Sequence, residues 1–209
     1  MNYTSIRDLA TGFEETTTLH IDNILDWDSG AFLSTPLNWN REGLERPFEV
    51  SKGIVVAPGT YDGWEVAPHF YTNQAAPFAF EATISYGSFL SGTRQGNAAI
   101  FSFRHGSALS TALRLEYNDV KLPEGDFTTR LAGLRVGYFF TPQVYLQSLV
   151  QYSNQSDNWS ANIRFGWLST AGTGLFVVWN QANGADSLSG PLNKSLTVKY
   201  SRQLTVWGG

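Results

Sequence analysis

The sequence predicts an all-β protein, an antiparallel up-and-down transmembrane β-barrel of about twelve strands, on three observations. Apolar and polar residues alternate along most of the chain, connections alternate between short and long, and aromatic residues gather at strand ends. The alternation is clearest at residues 128–179. Within 161–167, Ile163, Phe165 and Trp167 fall on one side and Asn162, Arg164 and Gly166 on the other. A strand produces that period of two and a helix does not. Turns at 141–143, 154–158 and 169–174 divide the stretch into strands of roughly 10 residues, longer than the ~5–6 usual in soluble sheets.

In chain order, residues 2–9 form a weakly patterned first strand. Residues 16–27 alternate, with Leu19, Ile21, Leu25 and Trp27 opposing Thr18, His20, Asp22 and Asp26. Residues 28–30 read as a hairpin turn. The return, 31–40, contains Pro36, which predicts a bulge or irregularity. Pro47, Gly53, Pro58 and Gly59 make 41–60 mainly loop. Residues 61–72 set Trp64, Val66 and Phe70 against Glu65, His69 and Tyr71, and 73–77 turn. Strands follow at 78–90, 97–104 and 110–118, separated by a loop at 91–96 and a turn at 105–107. A loop at 119–127 leads into the central strands. A polar loop at 181–193 precedes the closing strand, 195–207. That gives eleven strands and a twelfth at the start, one domain over 1–209, with no helix required.

Composition bounds the partners. The 209 residues include 14 Lys+Arg and 18 Asp+Glu, a formal charge of −4, which argues against nucleic acid. Charged residues are only 15%, below the usual ~25%, while 14% are aromatic, including seven Trp. With no Cys there is no disulfide framework and no thiolate metal site. No run approaches the ~18 apolar residues of a spanning helix. The opening MNYTSIRDLA lacks the apolar core of a signal peptide, so export would need a signal this sequence does not display.

Alternating strands also build soluble sandwiches, whose aromatics fill a core and whose strands are shorter. Three features favour the barrel. Turns at 28–30, 73–77, 105–107, 141–143 and 169–174 are short, whereas 41–60, 91–96, 119–127 and 181–193 are mostly longer, with 154–158 the exception, as in barrels with short periplasmic turns and long external loops. That phase puts the chain's last strand end on the short-turn side. Trp27, Phe139, Phe140, Tyr145, Trp167 and Trp207 lie by the short turns, and Trp39, Tyr86, Tyr117, Tyr152 and Trp159 by the other loops, as two aromatic girdles would. The odd count of eleven predicts that residues 2–9 pair with 195–207 to close a twelve-stranded barrel; the other outcome is that the chain is part of a larger barrel.

At 115–129 (LEYNDVKLPEGDFTT), and on through Phe140, 147–152, 162–167 and 175–180, the sequence resembles a family of bacterial outer-membrane proteins. Arg46-Pro47-Phe48-Glu49, 55–59 and Lys199-Tyr200-Ser201-Arg202 fit the same pattern in order. The resemblance is to their C-terminal barrel domain, of unknown function, and covers roughly residues 40–207. Members usually carry an N-terminal domain similar to family-nine carbohydrate-binding modules. It implies a bacterial outer-membrane location, outer-membrane lipid around the barrel, and a small solute or carbohydrate as ligand. Two departures stand out. The N-terminal domain and earlier barrel strands have no counterpart here, so a C-terminal portion of a larger protein, or a partner chain, is an expectation. Trp207 is followed by Gly208-Gly209, where such barrels tend to end on an aromatic residue.

Little in the chain points to catalysis, and an enzyme is not expected. His20, His69 and His105 stand apart, without HExxH or HxH spacing, so no metal is expected. There is no nucleophile elbow or phosphate-binding P-loop, and no cofactor is implied. Asn118, Asp119, Glu124 and Asp126 cluster on one loop as an external binding candidate. Their oxygens suit Ca²⁺ in type, but the spacing is not an EF-hand, and a solvated acidic loop is the preferred reading. The charged strand positions Glu81, Arg104, Arg114, Glu116, Arg135, Arg164, Lys199 and Arg202 mostly alternate with apolar neighbours. In a membrane barrel they face the lumen, because a charge at the lipid midplane costs about 2–4 kcal/mol. They are the candidate pore lining, with Arg in excess. Leu113, Leu115, Ile163, Phe165, Val198 and Tyr200 are the expected lipid-facing set. The expected function is a polar channel or solute path; the alternative is a structural or ligand-binding barrel without transport.

Overall fold

Prolines set the pattern of the N-terminal strands. In this computed structural model, residues 1–169, 173–184 and 193–202 are described. The strands are β1 (Asn2–Arg7), β2 (Glu14–Ile21), β3 (Ile24–Asp26), β4 (Phe32–Ser34), β5 (Leu37–Leu44), β6 (Phe48–Ser51), β7 (Ile54–Val56), β8 (Gly59–Val66) and β9 (His69–Tyr71). They continue with β10 (Phe78–Phe89), β11 (Gly92–His105), β12 (Leu109–Leu122), β13 (Gly125–Thr141), β14 (Val144–Ser153), β15 (Asn158–Leu168), β16 (Gly174–Gly184) and β17 (Asn193–Ser201). Pro36 and Pro68 interrupt the ladder because neither has an N–H to donate. Their carbonyls still accept: Ala67 N donates to Pro36 O at 3.1 Å and Ile84 N to Pro68 O at 3.0 Å. Thr35 N donates to Asn23 O at 2.9 Å. The breaks therefore line up across three neighbouring strands.

Register survives the breaks. On one side Ile21, Leu37, Val66 and Tyr86 pair in sequence; on the other Ile24, Ser34, His69 and Thr83 do. Each strand advances three residues between these rows, so no side chain changes face. β3, β4 and β9 are thus continuations of β2, β5 and β8. The protein is an all-β, antiparallel up-and-down sheet in the order β1-β2-β5-β8-β10-β11-β12-β13-β14-β15-β16-β17, twelve strands along the path. β6 and β7 form a separate hairpin.

Several boundaries differ from the sequence expectation. Residues 41–60 are not mainly loop: β5 runs to Leu44, the β6–β7 hairpin follows, and β8 begins at Gly59. The loops expected at 91–96 and 119–127 are two-residue turns, at Leu90-Ser91 and Pro123-Glu124. Turn residues marked the connections correctly, but ladder pairing carries the strands through polar stretches that alternation alone reads as loop. The expected contrast of long and short connections is therefore not present at these two positions. The loop at 181–193 lies mostly outside the described residues, as do 170–172 of the turn at 169–174 and residues 203–207 of the last strand.

The sheet is open, with β1 and β17 at the ends of its order, so the pairing of 2–9 with 195–207 is not seen among the described residues. β1 is short, and of its side chains on the apolar side only Tyr3 lies level with the Leu19–Trp39–Trp64 row; Ser5 and Arg7 lie beyond it. The residues group into two compact units. The first comprises Met1–Ala75, Ala79–Ile100 and Leu115–Arg130; the second comprises Ala76–Phe78, Phe101–Arg114 and Leu131–Gly209. The first contains a small apolar cluster in which Val56 of the β6–β7 hairpin meets Val120 and Leu122 of β12, with Ile54, Leu44 and Leu90 against them. Leu90 takes a left-handed φ of 46°, uncommon for a non-glycine residue, at the tight β10–β11 turn.

Candidate functional site: the polar face of the sheet

Pairing register sorts the side chains into two faces. In the second unit, one row places Tyr138, Leu146, Phe165, Val177 and Val198 together. Two residues further, Val144, Trp167, Leu175 and Tyr200 share that face. Tyr152 pairs with Trp159 at its other end. In the first unit, Tyr3, Leu19, Trp39 and Trp64 form one apolar row, and Ile21, Leu37, Val66 and Tyr86 the next. These side chains are widely open to solvent: Trp64 is 48% exposed, Tyr86 59% and Val198 61%. Buried hydrophobics are few by comparison, only Val56, Ala79, Val120, Leu122 and Ala161 among the described residues. The sheet buries little of its apolar face on itself.

The apolar face has a repeated width. It runs nine positions from Phe78 to Tyr86, from Leu109 to Tyr117, from Ala132 to Phe140, from Val144 to Tyr152 and from Trp159 to Trp167. No Asp, Glu, Lys or Arg stands at the alternate positions within any of these spans. On β17, Lys194 is the one charged exception. Beyond Trp39 and Trp64 the same side turns charged, through the row Ser5, Thr17, Arg41 and Asp62. The Arg41 guanidinium lies 4.9 Å from the Trp39 ring centroid and 3.7 Å from Glu14. Of the expected lipid-facing residues, Leu113, Leu115, Ile163, Val198 and Tyr200 are exposed and Phe165 is partly so. Two of the expected girdle residues belong elsewhere. Phe139 and Tyr145 pair on the polar side, because they fall one residue out of phase with Tyr138 and Leu146. Trp207 lies outside the described residues.

The polar face of the first unit is acidic and hydrogen-bonded. His20 Nδ1 lies 2.6 Å from Asn38 Oδ1 and its Nε2 3.8 Å from Asp22. Ser34 Oγ donates to Asp22 at 2.8 Å. His69 repeats the arrangement, with Thr83 Oγ1 at 2.8 Å and Glu81 at 3.8 Å. The Phe32 and Tyr71 rings stack beside it with centroids 4.7 Å apart. Arg94 donates to Glu65 at 2.8 Å, under the ring of Phe89. Among the described residues no three His, Cys, Asp or Glu side chains gather as a metal-holding group would.

In the second unit the polar face is cationic. Arg135 pairs with Leu149 and Asn162 along one row, and Gly137 with Gln147 and Arg164 along the next but one. Arg135, Arg164, Gln147, Asn162 and Ser110 line a recess of about 260 Å³. Asn162 donates to Asn180, which donates to Ser195 at 3.2 Å, a ladder of side-chain amides across three strands. Tyr145 covers Gly166, where any Cβ would overlap its ring.

Alternation places Glu81, Arg104, Arg114, Glu116, Arg135, Arg164 and Lys199 on polar sides of their strands. Arg202 lies past the end of β17. The four external-loop candidates do not converge, because their segment is strand rather than loop. Asn118 turns to the polar side and donates to Thr129 at 2.9 Å. Asp119 lies on the other side, 3.8 Å from Lys121. Glu124 accepts from Ser91 Oγ at 2.6 Å, and Asp126 is in β13. The His20 and His69 clusters and the Asn162–Asn180–Ser195 ladder were not singled out by sequence. Their phase was visible, but the partners lie on neighbouring strands and only register joins them. The sequence matches no protein-family model and no curated protein.

Proposed function

We propose that the chain is an outer-membrane β-barrel protein whose apolar face meets lipid and whose polar face lines a path for small hydrophilic solutes. The observation that carries this reading is the nine-position uncharged apolar span, largely exposed to solvent and repeated from strand to strand with an aromatic residue at one end or both. A membrane-crossing strand needs about 9–11 residues. Eight residue steps cover ~27 Å along a strand, or ~20 Å along the membrane normal at the ~40° tilt of such barrels. A soluble sheet would cover this face. Within those spans the charges lie on the opposite face, which fits a wet interior. The sequence resemblance to outer-membrane barrels points the same way, with carbohydrate among the candidate solutes.

A structural or binding barrel without transport is the second reading. It is favoured by the β6–β7 hairpin, whose Val56 packs on Val120 and Leu122, placed by alternation on the polar side of β12. An apolar hairpin there narrows any path. Expression with a bacterial export signal, followed by membrane fractionation and planar-bilayer conductance, tests both readings. Ion steps support the path; a folded, detergent-extracted, silent protein supports the second reading. A monomer that stays soluble without detergent overturns both.

A further inference from the structure

We propose that the polar face of the second unit binds a small oxyanion, a carboxylate or phosphate group, between Arg135 and Arg164. Three observations converge there. First, the strand residues of that unit carry no Asp or Glu, while Arg104, Arg114, Arg135, Arg164 and Lys199 all lie on polar sides. The polar face of the first unit is mostly acidic, with Asp22, Glu65, Glu81 and Glu116 beside the one arginine Arg94, which Glu65 pairs. The chain's net charge of −4 hides this segregation. Second, Arg135 and Arg164 have no carboxylate in ion-pair range among the described residues, whereas Arg41 and Arg94 of the first unit do.

Third, both arginines line one recess, together with three neutral hydrogen-bonding side chains, Ser110, Gln147 and Asn162. By register the two arginines sit two strands and two residues apart, about 12 Å between backbones. Two extended arginine side chains can close that gap onto one anion. Gly137, opposite Gln147, leaves room beside Ser110, since a Cβ there would come within 3.0 Å of the Ser110 hydroxyl. The Arg164 guanidinium lies 5.1 Å over the Phe176 ring, which register places on the side away from Arg135, so Arg164 swings off that ring to meet an anion beside Arg135. A guanidinium fork matches the paired oxygens of carboxylate and phosphate alike, and chloride far less well.

The inference rests on the polar face being reachable by solute, so its test is binding and not conductance. Full-length protein folded in detergent is titrated calorimetrically, in low-chloride buffer, with inorganic phosphate and separately with succinate. Arg135→Gln and Arg164→Gln should each weaken binding by about tenfold or more, the share of one charge-assisted hydrogen-bond pair. Lys199→Gln, also on the cationic face but outside the recess, should change it less than about twofold. Arg135→Lys should recover part of the loss, which shows that charge counts and the fork counts further. Heat-dependent gel mobility confirms that each variant is folded. The tighter of the two probes identifies the phosphoryl or carboxylate class. Absence of binding to the wild-type protein overturns the proposal, as does an equal loss in all three neutral variants, which would signify a diffuse cationic field. Binding retained in a protein that conducts nothing leaves the site standing and counts only against the path.

Discussion

The Tyr145 ring lies in the space that a side chain on Gly166 would need, so the two residues close the sheet surface between β14 and β15 as a pair. A ring over a glycine restores the contact that the missing side chain gives up. Gly166→Ala should therefore cost about 1–3 kcal/mol, the usual penalty of overpacking. Tyr145→Ala alone exposes the glycine, and the double variant should regain part of the Gly166→Ala loss. A double-mutant cycle on urea unfolding from liposomes measures the coupling; strictly additive losses would show that the ring and the glycine do not depend on each other.

Facing can be tested by neighbouring residues. Phe165→Arg places a charge in the apolar row of Tyr138, Leu146 and Val177, and on the proposed membrane reading should destabilise the membrane-folded state by about 2–4 kcal/mol. Arg164→Leu removes a charge from the polar row beside it and should refold into liposomes at nearly wild-type yield. The reverse sensitivity would mean that the apolar row is a protein interior.

The β6–β7 hairpin is held by a side chain with no solvent exposure, Val56. Val56→Asp should release it locally at a cost of roughly 2–5 kcal/mol. Trypsin should then cut faster at Lys52, in the hairpin's turn, with the long strands still protected. On the proposed path, conductance should rise in the same variant. Unchanged cleavage would place the hairpin's anchor elsewhere.

Asp8 organises the β1–β2 turn. Its carboxylate accepts from Thr11 N and Ala10 N, each at 2.7 Å, and from the Thr11 hydroxyl at 3.0 Å. The Thr11 amide, then the Ala10 amide, hold its pKa below the ordinary 3.8. A depressed folded-state pKa adds stability that is present above the unfolded value and disappears as pH falls through the folded one. Amide shifts of Ala10 and Thr11 should therefore titrate with a midpoint below 3.8, and Asp8→Asn should abolish the titration. A midpoint at or above the ordinary value would show that the turn does not hold the charged form.

Open edges are not tolerated in hydrocarbon, where unpaired backbone groups find no water. β1 is a poor closing strand, since only Tyr3 reaches the level of the Trp39–Trp64 row. Cysteines at Ser5 and at Leu196, Val198 or Tyr200, which share the apolar side, should therefore crosslink poorly, while a pair at Gln147 and Arg164, which are register partners, should crosslink well. Efficient crosslinking of β1 to β17 would establish a self-closed twelve-strand barrel and remove the need for further strands.

The strands of residues 128–168 were legible in sequence because alternation is local and uninterrupted there. The irregularity at Pro36 was legible for the same reason, a missing donor. The β6–β7 hairpin was not, because its four- and three-residue strands are too short to show a period and are set by Val56 meeting Val120 and Leu122 across the chain. The strands running through 91–96 and 119–127 were missed because turn-forming residues such as Ser91, Gly92, Pro123 and Gly125 mask an alternation that cross-strand pairing carries on. Arg135 and Arg164 were read as polar-face residues from phase, but their sharing one recess depends on β13–β14–β15 register, which alternation leaves open.

On the proposed membrane reading, the nine-position apolar span has a consequence for lipid choice. A hydrocarbon slab of only ~20 Å suits short acyl chains, and hydrophobic mismatch costs a fraction of a kcal/mol for each ångström of excess thickness. Insertion should be fastest in bilayers of ten- to twelve-carbon lipids and slow progressively as chains lengthen. The row of Trp and Tyr from Tyr3 to Trp64 would then act as a depth gauge, reporting through its fluorescence whether a given bilayer has thinned to meet the protein.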